Sequence, residues 1–180
     1  MPAGRDAVPR ASPPWGEVVT VSSPARAWAL LEQVPDPEIP VLSVVDLGIV
    51  RDAVESADGR GVVVTLTPTY SGCPATEVIA HDVRAMLESS YDDVEVRTQL
   101  SPAWTTDWMR PEARKTLHGY GIAPPEGRRS LPIVDVGTPA SCPRCGAGEV
   151  EEIAAFGSTP CKALWRCTIC REPFDYFKRH

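Results

Sequence analysis

The feature that most constrains the fold of this chain is a pair of Cys-x-x-Cys hooks in its last forty residues. The first hook contains Cys142 and Cys145, the second contains Cys167 and Cys170, and residues 146–166 separate them. Two such hooks can close around one metal ion, because four thiolates form the tetrahedral site in which zinc is held at ~2.3 Å from each sulfur. The spacing therefore predicts a closed structural zinc site.

Gly146 directly follows the first hook and supplies the backbone freedom that a tight metal-binding turn requires. The alternative for the four cysteines is two redox-active or disulfide-bonded pairs. The N-terminal residues contain no apolar run typical of a signal peptide, and no segment approaches the length of a transmembrane helix. We therefore expect a cytoplasmic protein, in which reduced thiols favour metal binding over disulfides.

The distribution of charge indicates what kind of partner the chain binds. Residues 1–140 contain 12 Lys and Arg against 19 Asp and Glu, whereas residues 141–180 contain 6 against 5. Neither part has the strongly basic surface that binding to a phosphate backbone requires. We therefore expect a protein partner, and neither a nucleic acid nor a membrane.

Prolines divide the chain into parts, and 180 residues are enough for one ordinary core and a small satellite. In chain order we expect a disordered tail over residues 1–22, a main domain over 23–123, a Pro-rich linker over 124–140 and a zinc ribbon over 141–180.

Hydrophobic periodicity predicts the elements of the main domain. In chain order they are a helix that begins at Ser23-Pro24 and ends before Pro35, strands over 49–54 and 62–67 joined by an Asp58-Gly59 turn, a helix over 74–89 and a strand over 94–100. The expected apolar face of the longer helix contains Ala75, Val78, Ile79, Val83, Met86 and Leu87. The last three elements form a β-α-β unit, which predicts a small two-layer α/β (α+β) domain.

Cys73 lies where the second predicted strand turns into the longer helix. Pro74 suits the first helical position, which makes Cys73 the N-cap residue or its neighbour. The free N–H groups and dipole of a helix N-terminus favour a thiolate, which can act as a nucleophile or as a ligand for a soft metal. The alternative, given equal weight, is an inert cysteine that packs under the helix.

Five further residues are weaker candidates. Asp36 and Glu38 could place carboxylates near Cys73, although an Asp before Pro is more often a turn or cap residue. Trp104 and Trp108 could form a partner-binding patch, although such side chains more often cover a sheet edge. Cys161 could replace a zinc ligand, serve a cluster or a redox step, or be an unligated thiol beside the site.

Catalysis has little support in the sequence. We find no nucleophile-His-acid set, no glycine-rich phosphate loop and no paired-carboxylate motif. A role as an enzyme on its own is therefore not expected.

Four stretches of the main domain resemble the domain shared by SufT-like and cytosolic iron-sulfur assembly proteins. They are Asp36-Pro-Glu-Ile-Pro40, Asp46-Leu-Gly-Ile-Val50, Thr67-Pro-Thr-Tyr-Ser-Gly-Cys73-Pro74 and Pro102-Ala-Trp104. The segment from Phe156 to Lys178 resembles the tail of the PaaD family of phenylacetate-degradation proteins. The resemblance implies an iron-sulfur-assembly-like domain followed by a zinc ribbon, and in such domains the cysteine at the position of Cys73 is the functional residue.

The PaaD family is encoded with phenylacetyl-CoA epoxidase, which forms a ring-1,2-epoxide with a di-iron oxygenase component and a flavin and iron-sulfur reductase component. The resemblance implies an accessory protein that matures a metal centre of this system and has those two components as partners. It implies structural zinc and transient handling of iron or an iron-sulfur cluster. The alternatives are a stoichiometric structural subunit of the oxygenase complex, or a redox protein that uses Cys142 and Cys145 as a dithiol.

Overall fold

The computed structural model describes residues 25–125 and 137–180. The predicted N-terminal tail and residues 126–136 of the predicted linker lie outside the described residues. None of the helices in the described parts is both long enough and apolar enough to cross a membrane.

The part of the main domain up to Thr98 contains two helices and a three-stranded sheet. The elements are α1 (Ala25–Leu31), β1 (Val50–Glu55), β2 (Gly61–Leu66), α2 (Ala75–Glu88) and β3 (Asp93–Thr98). The sheet order is β1-β2-β3, in which β1 and β2 are antiparallel and β2 and β3 are parallel. The predicted mixed α/β fold and its β-α-β unit are therefore confirmed.

The alternation of half-buried and buried residues along β2 shows which face of the sheet packs against the core of this domain. Val62, Val64 and Leu66 are buried, and the residues between them are half-buried. Since successive side chains of a strand point to opposite faces, the buried set faces the core that the helices cover. Asp58 and Gly59 form the predicted turn before β2, where Gly59 adopts a left-handed φ of 68° that favours glycine.

The apolar face of α2 is narrower than the sequence predicts. Its buried residues are Ala75, Ile79, Val83 and Leu87. Val78 is 48% exposed, which contradicts its predicted place on the buried face. The buried residues form a single i, i+4 row, and Val78 lies about 100° away from Ile79 around the helix, at the border of the contact.

A second sheet contains the C-terminal strands and one strand from the main domain. A short 3₁₀ turn (Thr106–Trp108) and α3 (Pro111–Tyr120) lead into β4 (Ile122–Ala123), and the ribbon itself contains β5 (Val150–Ala154), β6 (Lys162–Cys167) and β7 (Pro173–Phe177). The sheet order is β4-β7-β6-β5, with β4 parallel to β7 and the other pairs antiparallel. The ribbon is therefore joined to the main domain by backbone hydrogen bonds as well as by the linker.

Side chains of the ribbon also enter the main core. Phe177 is 1% exposed and belongs to the same buried cluster as the main-domain core. The ring of Trp104 lies edge-on to that of Phe177, with 6.1 Å between centroids, and its indole N–H donates to the carbonyl of Leu47 at 3.0 Å. Trp104 is only 5% exposed, so it covers the core instead of presenting an aromatic patch to a partner.

We predict that Phe177→Ala destabilises the whole chain, because its ring fills the junction between the ribbon and the main domain. Removing a buried Phe side chain costs about 3–5 kcal/mol of the free energy of unfolding. Phe156→Ala is the matched control, since Phe156 is also in the ribbon but is 68% exposed. Urea unfolding checks this, and equal small losses for the two variants would contradict the packing described here.

Candidate metal centre and thiol pocket

Two tight turns of the ribbon bring four cysteine sulfurs together. Cys142 and Cys145 lie in the turn before β5, Cys167 ends β6, and Cys170 lies in the turn before β7. All four Sγ atoms lie within 4.8 Å of one another. The Sγ atoms of Cys142 and Cys170 are 3.8 Å apart, and those of Cys145 and Cys167 are 3.6 Å apart.

These distances fit one tetrahedral ion better than two disulfides. Four sulfurs held at ~2.3 Å from a central zinc would lie about 3.8 Å apart, which is close to the observed spacing. The two short contacts join one hook to the other, whereas a redox dithiol would pair Cys142 with Cys145 within a hook. The donor set and its spacing therefore fit a closed structural metal site, with zinc as the expected ion.

Backbone N–H groups contact two of the four sulfurs. The N–H of Arg144 lies 3.4 Å from the Cys142 sulfur, and the N–H of Cys170 lies 3.5 Å from the Cys167 sulfur. The N–H of Cys170 lowers the pKa of Cys167 to about 7. Gly146 closes the first turn at a left-handed φ of 77°, as expected from its position after the hook. The contact at Cys167 favours the thiolate form that a metal requires, whereas burial and the neighbouring sulfurs raise the pKa of Cys145 and Cys170.

Cys73 lies at the start of α2 and is half-buried. Pro74 occupies the N-cap position instead of the predicted first helical position, so Cys73 is the neighbour of the cap. A Cβ added at Gly72 would meet no heavy atom within 4 Å, so the approach to this turn is open. Cys73 packs against the core and remains partly accessible, and its role as a functional thiol stays a prediction.

A small cavity of about 20 Å³, the Cys73 pocket, lies behind Cys73. The residues around it include Asp36, Glu38, Cys73, Cys161 and Phe177, and the surface that they present to the cavity is almost wholly apolar. This volume is enough for one water molecule or one ion of similar size. Asp36 and Glu38 thus line the same cavity as Cys73, and a functional role for their carboxylates stays a prediction.

Asp36 shapes this loop as well as lining the cavity. It is 7% exposed, and its Oδ1 atom accepts the N–H groups of Glu38 at 2.9 Å and Ile39 at 2.8 Å. Burial raises the pKa of Asp36, and the two N–H groups partly oppose that effect. The turn role expected of an Asp before Pro is thus present, and it fixes the position of Glu38.

Cys161 lies apart from the four-sulfur cluster and belongs to the main core. It is 6% exposed, and the hydroxyl of Thr159 lies 3.0 Å from its sulfur. Its carbonyl accepts the N–H of Lys178 at 2.9 Å, which holds it beside β7. Burial raises the pKa of Cys161. Of the sequence alternatives, a fifth ribbon ligand is disfavoured by this position.

Tyr70 lies near Cys73 and Cys161, and its position was not predicted from the sequence. Its hydroxyl oxygen is buried without a hydrogen bond of normal geometry. Burial, followed by the nearby Cys73, Cys161 and Glu38, raises the pKa of Tyr70. The only sequence signal that could have indicated this proximity is that Tyr70 and Cys73 lie three residues apart within one turn.

Trp108 lies away from the cavity and is half-buried. The guanidinium carbon of Arg51 lies 3.5 Å from the centre of its ring, in a cation–π contact. Gly48 lies against its backbone with a left-handed φ of 68°, and a Cβ there would be 2.3 Å from the Trp108 carbonyl oxygen. These contacts explain the position of Trp108 by packing, and a role in partner binding stays a prediction.

Two known families match the chain. Residues 24–98 match the family described as iron-sulfur cluster assembly protein. Residues 133–178 match the family described as PaaD zinc beta ribbon domain. The first match contains Cys73, and the second contains Cys161 and the four-sulfur cluster.

Individual proteins are similar to the whole chain or to part of it. A protein of Escherichia coli, named as one of the subunits of a "Putative 1,2-phenylacetyl-CoA epoxidase", is 51% identical over 164 residues, which are 89% of this chain and 97% of that protein. A protein of Porphyromonas gingivalis named "Fe-S protein maturation auxiliary factor" is 42% identical over 90 residues, which are 49% of this chain and 84% of that protein. The crystal structure of a domain of unknown function, DUF59, from Bacillus anthracis is 31% identical, covers 52% of this chain and 89% of its own, and has a TM-score of 0.48.

We predict one zinc per chain in the purified protein, measured by elemental analysis. Cys142→Ser should lose that zinc, because it removes a buried ligand of a closed site, and structural zinc contributes ~10 kcal/mol or more to folding in small modules. The backbone amides of β5–β7 should then lose their protection from hydrogen exchange.

Cys161→Ser is the control for this experiment and should keep its zinc, since Cys161 lies outside the four-sulfur cluster. Iron and sulfide in place of zinc would contradict the assignment of a structural zinc ribbon. So would native protection of β5–β7 after complete metal removal.

Proposed function

The chain belongs to the PaaD family of phenylacetyl-CoA epoxidase proteins, and we propose that it is an accessory protein that matures an iron or iron-sulfur centre of this epoxidase. The observation that carries the proposal is the placement of Cys73. A partly accessible thiol lies at a helix N-terminus, in the part that matches iron-sulfur cluster assembly proteins. Relatives of that part include a protein named as a maturation factor for Fe-S proteins.

The chemistry of the site suits transfer of metal better than conversion of an organic substrate. A thiolate is a soft ligand that iron and its clusters accept. The open backbone at Gly72 lets a recipient protein approach Cys73 closely. Transfer is then an exchange of ligands, in which a donor group of the recipient replaces the Cys73 thiolate on the metal and no electron moves.

Zinc in the ribbon has a structural role in this proposal. The site has four protein ligands and no open position, whereas catalytic zinc sites keep one position for water or substrate. The ion holds β5, β6 and β7 together, and these strands in turn place Phe177 and Cys161 against the main domain. The cargo-binding part is the Cys73 pocket.

The oxygenase and reductase components of the epoxidase are the proposed partners. A second candidate function is that of a stoichiometric structural subunit, which is favoured by the name of the Escherichia coli relative as an epoxidase subunit. The two differ in what copurifies. A maturation factor binds its target transiently, whereas a structural subunit remains in fixed ratio in the active complex.

We predict that Cys73→Ser abolishes maturation and leaves the fold intact. A serine hydroxyl has nearly the same size, so the melting temperature should change little, but it is a poor ligand for iron at neutral pH. In a host that carries the epoxidase genes and lacks its own copy of this gene, the variant should fail to support growth on phenylacetate. Iron in one purified epoxidase component should fall to the level found without the protein.

Ser71→Ala, in the same exposed turn, is the control and should behave like wild type. If the Cys73→Ser strain grew like wild type with fully metallated components, Cys73 would be a packing residue. The proposed function would then be wrong.

A further inference from the structure

The hydroxyl of Tyr70 is a buried hydrogen-bond donor that the fold described above does not use. Its oxygen has almost no contact with solvent, and no group within residues 25–125 and 137–180 forms a hydrogen bond of normal geometry with it. A buried hydroxyl without a partner lowers the stability of a protein, because it has given up its hydrogen bonds to water. Such a group calls for an explanation, and a role in function is one.

The turn that contains Tyr70 places this hydroxyl near the sulfur of Cys73. The N–H of Cys73 donates to the carbonyl of Tyr70 at 3.2 Å, which closes the turn, and both side chains pack against the main-domain core. Among the side chains near the hydroxyl, Cys73 is the one placed to accept its hydrogen, whereas Cys161 and Glu38 act on it through their charge alone. The sulfur of Cys73 is therefore the acceptor closest at hand.

We propose that Tyr70 is a positioning residue for Cys73, and that its hydroxyl donates a hydrogen bond to the Cys73 sulfur when that sulfur is a thiolate, either free or bound to metal. The inference rests on the proposed function and deepens it, because it names a second residue on which the working thiol depends. Tyr70 touches neither the cargo nor the recipient in this proposal. It acts through Cys73.

The difference between a thiol and a thiolate explains why the donor is unused in one state and used in the other. A thiol sulfur is a weak acceptor, whereas a thiolate is charged, and hydrogen bonds to charged groups are about twice as strong as neutral ones. The phenol keeps its proton, since burial, followed by the nearby Cys73, raises the pKa of Tyr70. One O–H···S hydrogen bond forms, no covalent bond breaks and no electron moves.

Tyr91 provides a comparison, because its hydroxyl has a partner. Its side chain is buried in the same core against which Tyr70 packs. The Tyr91 hydroxyl donates to the Oε1 atom of Glu55 at 2.6 Å. The two tyrosines differ in whether the hydroxyl is hydrogen-bonded, so Tyr91→Phe is the matched control for Tyr70→Phe.

The first test compares the melting temperatures of the zinc-loaded full-length variants. Tyr70→Phe removes an oxygen atom that has no partner, so the melting temperature should stay the same or rise. Tyr91→Phe removes a hydrogen bond to a carboxylate and should lower the melting temperature by several degrees. An equally large fall for Tyr70→Phe would overturn the inference, because it would show that the hydroxyl already has a partner.

The second test is the rate at which iodoacetamide alkylates Cys73 at neutral pH, followed by mass spectrometry of the peptide that contains it. Tyr70→Phe should slow this reaction about threefold or more, because the thiolate is the reactive form and the hydrogen bond stabilises it, while the accompanying loss of nucleophilicity offsets only part of the gain. Tyr91→Phe should leave the rate unchanged. A turn that the substitution merely loosened would make Cys73 react faster. An equal or faster rate in Tyr70→Phe would overturn the inference.

Delivery of iron to an epoxidase component separates this inference from the proposed function. Tyr70→Phe should slow that delivery by a factor similar to the one seen in alkylation. If Tyr70→Phe delivered iron like wild type while Cys73→Ser abolished delivery, Tyr70 would not be a positioning residue and the role of Cys73 would stand. If Tyr70→Phe slowed alkylation while Cys73→Ser left delivery intact, the hydrogen bond would stand and the proposed function would be wrong.

Discussion

The convergence of four cysteine sulfurs within 4.8 Å is the constraint on which the rest of this structure depends. The ribbon has a small core of its own, and a module of about forty residues buries too little apolar surface to fold without a staple. An ion held by the four thiolates would fix the turns that connect β5, β6 and β7. Those strands then carry Phe177 and Cys161 to the surface of the main domain.

The union of ribbon and main domain is closer than that of two domains on a linker. Strand β4 leaves α3 and pairs with β7, so one sheet includes both parts of the chain. The C-terminal carbonyl of His180 accepts the hydroxyl of Thr105 at 3.1 Å, and the ring of Trp104 packs on Phe177. Because the two parts are in contact, residues of both line the Cys73 pocket. The ribbon thus contributes to the structure of the iron-sulfur assembly domain that it accompanies.

Local patterns predicted the parts of the structure that local physics determines. Two Cys-x-x-Cys hooks predicted the metal site because each hook is closed by its own turn. The alternation in β2 predicted a half-buried strand because side chains alternate across a sheet. Asp58-Gly59 likewise predicted its turn, because the conformation of a turn depends on adjacent residues. Val78 was misplaced because the width of the buried face of α2 depends on what covers it, which periodicity does not state.

Contacts between distant residues were beyond those patterns. Cys161 looked like part of the ribbon because it lies between its ligands in sequence, and only the packing of β6 and β7 on the main core brings it to Cys73.

The central claim, that the Cys73 pocket delivers iron to a component of the epoxidase, is tested most directly by reconstitution with purified proteins. Metal-free oxygenase and reductase are each incubated with iron-loaded protein, with the same amount of iron alone, and with iron and the Cys73→Ser variant, and the iron content of each component is then measured. The account predicts that one component gains iron faster and more completely only with wild type. Equal iron content and equal rates in all three incubations, for both components, would contradict it.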